Sequence, residues 1–586
     1  MKRNEIETEL TWDLSGLFKD QKAFDDQFEK AKAYIHKLCQ FKGHIADSKN
    51  SFIAFMNTRE ELMRYMENIE VYASMCVDVD SENEAVQENL SKANSLIDLQ
   101  TSSLTFIDNE IIASKDAIET YLKDDDCKDF RYAMSEIFRT IPHRLDEKTE
   151  ALLGDVVTLA KCPEDTFRSF PLNFEPVIVD GKEEFLNGAT YISFLQNKDV
   201  NVRKQAFEHY FKEYQTYQNV FMNTLSAHAK GQVLLAKARN FKNALSASLF
   251  EDGVEEDLFH KVLYMGNEKY HDYVQEYFSL RKEILQLDVQ HVYDIQLELV
   301  NEVDVKYTID DCFDIMDEAL KVLGDDYIQL LHKAKAERWI DFMPCKGKRS
   351  GAYSWGTYDS KPYIMTNFNG DYESLSTLAH ELGHSMHSYF SWENNRAMNS
   401  GYRIFVAEVA STVNEVLLND YLLKTSKDNN YKAYILSNLL TQLIGTLYRQ
   451  PMYAKFEYDL HTWVENKEVI SSQKITQHFL DLNKQYFGDS VEVDDLQRYG
   501  CYYIPHFYYN FYVYKYTLGM SVALSFVKRI QQGDVQAYRE FLTKGGSESP
   551  LDELIHAGVD PRDDQVYDDA FTFFKETLDQ FKELVK

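Results

Sequence analysis

Ten prolines and 23 glycines are all that this 586-residue chain offers to interrupt a helix. Proline removes a backbone donor and clashes with the preceding turn, and glycine costs about 1 kcal/mol in a helix interior. Long stretches free of both, with apolar residues spaced three and four apart, predict helix. Residues 24–38, 52–75 and 85–112 read this way and give a helical N-terminal region. The pattern returns over 202–238 and 257–287. The expected fold class is mainly α.

Two segments break that texture. In 174–185, Pro176-Val177-Ile178-Val179-Asp180-Gly181 sets an Asp-Gly pair between short extended runs, which predicts a hairpin. In 351–370, aromatic and β-branched residues flank a Thr357-Tyr358-Asp359-Ser360 turn and predict a small β-sheet. One boundary near residue 200 is expected, between an N-terminal helical lobe (1–200) and a larger catalytic domain (201–586).

A formal charge of −32 argues against nucleic acid and against an anionic membrane surface, because both need a basic face. No apolar run approaches the roughly 20 residues that span a bilayer. The start Met1-Lys2-Arg3-Asn4 has no apolar leader, so no secretory signal is expected. Seven scattered cysteines without a C-x-x-C pair indicate neither a zinc knuckle nor a disulfide framework. Reduced thiols and a cytoplasmic location follow as expectations. Nothing in the sequence sets the oligomeric state.

The chemistry is concentrated in His380-Glu381-Leu382-Gly383-His384. On a helix, residues four apart share a face, so two imidazoles can hold one zinc while Glu381 stands beside it as a general base. Asn369-Gly370-Asp371 supplies a helix start with Asp371 as N-cap, and the helix should end near Phe390. A catalytic zinc needs a third protein ligand and one open position. His387 follows one turn after His384, but three ligands on one straight helix spread over about 10 Å. A carboxylate from the helix after Gly401 is the better donor. Glu408 is the lone acid in an apolar run, and a buried unpaired carboxylate is costly. Glu415, two turns on, is the alternative ligand or an orienting partner. His387, Ser411 and Asn414 are further orienting candidates.

Near the C-terminus, Pro505 suits the first turn of a helix. On it His506, Tyr509, Tyr512 and Tyr516 would form one stripe of donors for an oxyanion.

These pieces resemble the oligoendopeptidase F branch of the thimet-oligopeptidase family of zinc metallopeptidases. The matching text is HELGHSMH at 380–387, FVAEVAS at 405–411, GAYSWGTYDSKPYIMTNF at 351–368, IPHFYYNFYVYKYTLG at 504–519 and TWDLSGLF at 11–18. The resemblance implies two helical lobes around a deep substrate channel, one zinc ion per chain, and cytosolic cleavage of short peptides. By the match, His380, His384 and Glu408 are zinc ligands and Glu381 is the general base. His506 falls on a family histidine near the substrate carbonyl, while the spacing after it leaves Tyr509, Tyr512 and Tyr516 all open. Substrate backbone is expected to add as a strand along the 351–368 segment, at Gly351, Ala352 and Tyr353, with Tyr516 as a further contact. Two rivals stand beside this reading. One is a metallocarboxypeptidase, which would need Arg403 or Arg498 for a terminal carboxylate. The other is a non-catalytic helical peptide-binding protein.

Overall fold

The computed structural model describes residues 2–301 and 303–586, and helices dominate it. The expected N-terminal helices form as Gln21–Cys39 and Lys49–Val79. The 85–112 run divides into Glu84–Ser103 and Ile107–Ala113, and the 202–238 run into Val200–Thr216 and Gln218–Ala238, breaking at Tyr217. Neither break falls at a proline or glycine, so neither was marked in the composition. The 257–287 run becomes Glu256–Tyr264 and His271–Ile284, joined by a π turn at Met265–Lys269. Gly266 sits in that turn because a Cβ would lie 2.6 Å from the Leu447 carbonyl oxygen.

The chain packs as two compact units, each discontinuous: 1–141 with 304–425 and 526–560, and 142–303 with 426–525 and 561–586.

In the first unit, Phe24, Phe52, Phe55 and Phe130 are fully buried among the N-terminal helices. Each such side chain contributes roughly 1.5–3 kcal/mol over its exposed state. A second cluster sets Trp12, Val71 and Met75 against Tyr363 and Met365, so the long Lys49–Val79 helix also backs a small sheet. That sheet has the order Ile340–Asp341, Tyr363–Met365, Tyr353–Trp355. The central strand pairs in parallel with the first and antiparallel with the last. Tyr353–Trp355 is therefore an edge. Asp341 is fully buried, and its charge is met by Arg3 and by Lys348 at 2.7 Å.

In the second unit, the Asp-Gly hairpin forms between Val177–Val179 and Lys182–Glu184. Asp180 and Gly181 both take positive φ, 50° and 77°, as a two-residue turn of this twist demands.

Candidate active site

Gly370, at φ 76°, turns the chain out of the sheet, and the Asp371 carboxylate accepts the Ser374 N–H at 2.9 Å. The helix that starts there, Tyr372–Asn394, runs one turn past the expected end. Ser354 on the edge strand lies 2.8 Å from Ser385 of this helix, hydroxyl to hydroxyl. The next helix, Ile404–Thr425, packs against it so closely that a Cβ on Gly383 would lie 2.7 Å from the Ala410 carbonyl oxygen. That contact brings Glu408 over the two histidines.

The donor atoms of His380, His384 and Glu408 all lie within 4.8 Å of one another. His380 Nε2 is 3.2 Å from His384 Nε2 and 3.4 Å from Glu408 Oε2, and His384 Nε2 is 3.5 Å from that same oxygen. Ligands about 2.0–2.2 Å from a tetrahedral zinc stand about 3.3–3.6 Å apart, so the three separations fit three corners of one tetrahedron. The fourth corner is left to water or substrate. Two imidazole nitrogens and a carboxylate oxygen are also the donor chemistry that suits zinc.

Several neighbours orient these donors. His380 Nδ1 faces Glu415 Oε1 at 3.2 Å, which turns Nε2 toward the cluster. Burial pulls the His380 pKa down, but the Glu408 and Glu415 carboxylates outweigh it and raise it to about 10. Glu408 is exposed, not buried as its apolar run suggested; it is still held far below the usual carboxylate range, partial desolvation opposing the shift and the hydrogen bonds to His380 and His384 overcoming it. The Ser411 hydroxyl donates to the Glu408 carbonyl at 3.0 Å and lies 3.3 Å from its carboxylate. Asn414 donates to the Ala379 carbonyl at 3.0 Å and accepts the Tyr327 hydroxyl at 2.8 Å. Glu381 is buried, and burial raises its carboxyl pKa, the direction a general base near neutrality needs.

His387, an orienting candidate, makes no hydrogen bond to the cluster among the described residues. Its ring is buried, stacked on Tyr402 at 3.8 Å, with Phe541 beside it, and burial lowers its pKa to about 3.

Gly351 and Ala352, with Asn367, Phe368 and Ser374, line a cavity of about 260 Å³ beside the start of the Tyr372–Asn394 helix. Tyr353 lies on the edge strand, and its hydroxyl donates to Asp78 at 3.0 Å.

The aromatic stripe on a single helix is overturned. Pro505–Tyr508 is one 3-10 turn, 509–513 is irregular, and helix resumes only at Tyr514–Gln531. Asn510 and Phe511 take φ of 53° and 59°, which no α-helix allows. The rings gather nonetheless. His506 lies 5.4, 6.4 and 6.1 Å from Tyr509, Tyr512 and Tyr516, centroid to centroid. Arg168 donates to the Tyr509 hydroxyl at 2.7 Å. His506 is half-buried, which lowers its pKa and leaves it neutral at pH 7. These four residues belong to the second unit, whereas the histidine–glutamate cluster belongs to the first.

A helical protein carrying two histidines and a carboxylate converged in this way falls in the metallopeptidase class. Comparison with known families agrees. A model described as peptidase family M3 matches residues 193–573, and one described as oligopeptidase F matches 111–170. The chain belongs to peptidase family M3 and is a metallo-oligopeptidase. Oligopeptidase PepF of Bacillus subtilis is 34% identical over all of this chain and 88% of its own length. Group B oligopeptidase PepB of Streptococcus agalactiae is 32% identical over 100% of this chain and 98% of its own. Among solved structures, oligoendopeptidase-F of Enterococcus faecium superposes with a TM-score of 0.74 at 28% identity, covering 96% of this chain and 99% of that one. Family membership implies a metal, and this corrects the non-catalytic rival. No helix among the described residues is long and apolar enough to cross a membrane.

Proposed function

We propose that the chain is a zinc-dependent endopeptidase that hydrolyses internal bonds of short peptides. One observation carries the reading: three donors of zinc-binding chemistry spaced as three corners of one tetrahedron. His380, His384 and Glu408 would hold one zinc ion. Bound there, zinc supplies Lewis acidity, polarising the scissile carbonyl and lowering the pKa of attacking water toward about 7.

The chain's own groups do the rest. Glu381, buried and raised in pKa, takes the water's proton and later gives it to the leaving amine. Glu415 keeps His380 in the tautomer that presents Nε2. The unpaired edge of Tyr353–Trp355, continued by Gly351 and Ala352, takes the peptide as an added strand through main-chain hydrogen bonds. Such pairing is indifferent to side chains and suits broad sequence specificity. His506 and the tyrosines at 509, 512 and 516 are taken as donors for the oxyanion. The catalytic domain is taken as 201–586 after an N-terminal lobe at 1–200, in keeping with the family match from 193. A cytoplasmic location fits seven cysteines that are all free thiols.

The carboxypeptidase alternative needs a cation for a terminal carboxylate. Both candidates are engaged: Arg403 donates to Glu136 at 3.2 Å, and Arg498 pairs with Asp495.

A ten-residue peptide blocked at both ends is the test. Cleavage inside it, abolished by a chelator and restored by zinc, is the expected result. Cleavage only of peptides with a free C-terminus would reject the endopeptidase reading.

A further inference from the structure

Asn510 and Phe511 hold two consecutive left-handed backbones with no glycine to ease them. L side chains rarely adopt that conformation, and a bulky one least of all. Such strain persists only where the surroundings over-determine it, and it gathers at functional sites.

The surroundings here come from four helices of the second unit. Phe511 N–H donates to Glu457 Oε1 at 2.7 Å. The Ser248 hydroxyl donates to the Asn510 carbonyl at 2.7 Å. The Phe511 ring is buried against His461 at 4.6 Å and Phe259 at 5.8 Å. His461 Nδ1 in turn bonds the Glu457 carbonyl at 3.0 Å. Before the kink, Tyr508 and Thr224 share a hydrogen bond of 2.8 Å; after it, Asp252 receives Tyr514 at 3.0 Å and Lys515 at 2.9 Å.

Glu457 is the unusual member of this set. Its carboxyl is almost fully buried, and Oε2 has no hydrogen-bond partner among the described residues. A core position would be better filled by an apolar residue, because a buried polar group costs free energy unless it is hydrogen-bonded. The hydrogen bond it does make goes to the kink. Burial raises its pKa to about 8, so it accepts that N–H as a neutral acid at pH 7.

We propose that Glu457 is a positioning residue for peptide hydrolysis: its carboxyl locks the 510–511 kink that gathers His506, Tyr509, Tyr512 and Tyr516. The proposal rests on the reading above that this aromatic loop assists the reaction, and it adds a residue that touches no substrate.

The test is steady-state hydrolysis of a blocked ten-residue peptide by zinc-loaded protein. Glu457→Gln keeps a neutral acceptor and should stay within about threefold of the parent kcat. Glu457→Ala removes the acceptor, and displacing the loop should lower kcat about 10- to 100-fold with KM within about threefold and zinc content unchanged. Equal kcat in Glu457→Ala and the parent would overturn the proposal. So would a Gln variant as slow as the Ala variant. If Glu457→Ala does not fold, Ser248→Ala takes its place; it should lower kcat about three- to tenfold at constant KM, and an unaltered kcat would overturn the idea. His506→Ala and Tyr512→Phe separate the two layers. If both turn over at the parental rate, the loop has no part in the reaction and the reading beneath the proposal fails. If they are slow while Glu457→Ala is not, only the positioning role is lost.

Discussion

Asn414 donates its side-chain amide to the Ala379 carbonyl at 3.0 Å, across the two helices that carry the metal-site residues. Its oxygen is taken by Tyr327 at 2.8 Å, so the amide cannot rotate. The bond ties the backbone one residue before His380 to the helix of Glu408. Replacing Asn414 with Ala should weaken zinc binding about 10- to 100-fold, the usual size for an outer partner of a metal site. Chelator competition measures this, with circular dichroism to show that helix content is kept.

Gly383→Ala should be more severe. The added methyl carbon would stand 2.7 Å from both the Ala410 carbonyl oxygen and Ser411 Cα, which are backbone and cannot swing aside. The helices must separate, and Glu408 must retreat from the histidines. Loss of stoichiometric zinc and of peptide cleavage together is the expected outcome; metal analysis of the purified variant decides it.

Glu381→Gln should divide binding from chemistry. Zinc content should match the parent, since Glu381 is not among the three converging donors. The value of kcat/KM should fall about 10²- to 10⁴-fold, the range associated with a general acid–base group. Cleavage at the parental rate would remove Glu381 from the mechanism.

Glu457 makes a prediction in pH. Its pKa is raised by burial to about 8 in the fold, against an ordinary value of 4.5. The proton it keeps stabilises the folded protein fully below about pH 4.5, and this contribution is lost as pH rises through about 8. His461, which bonds the Glu457 carbonyl, and His228, whose charge acts on His461, are each lowered by burial to about 4 and are neutral over most of that window. Glu457→Gln should therefore match the parent's melting temperature relative to a pH 4.5 baseline, then gain on it steadily up to pH 8 and no further. A constant difference across that range would show that the carboxyl does not keep its proton.

The convergence of His380, His384 and Glu408 was legible because its signal is local. His380 and His384 fall on one helical face by spacing alone, and Glu408 stands out as an acid in an apolar run. What Glu415 does was not legible, since an acid two turns along a helix could approach either nitrogen of His380; only the packed helices aim it at Nδ1. Nor was the surrounding of His387 legible: its ring stacks on Tyr402, a contact that spacing on one helix cannot show. The aromatic segment failed as a helix because left-handed residues are usually announced by glycine, and here asparagine and phenylalanine stand instead. The groups that hold them there, Ser248 and Glu457, lie far off in the chain and carry no motif.

The exposed margin of the sheet has a second consequence. An edge proposed to take a peptide would equally take the same margin of a neighbouring molecule, the usual route to unwanted self-association. Tyr353–Trp355 is only three residues long, and Gly351, at φ 88°, bends the chain just before it. A ladder so brief is too weak to hold two copies together unaided, so the opening can stay receptive to guests without gluing the protein to itself.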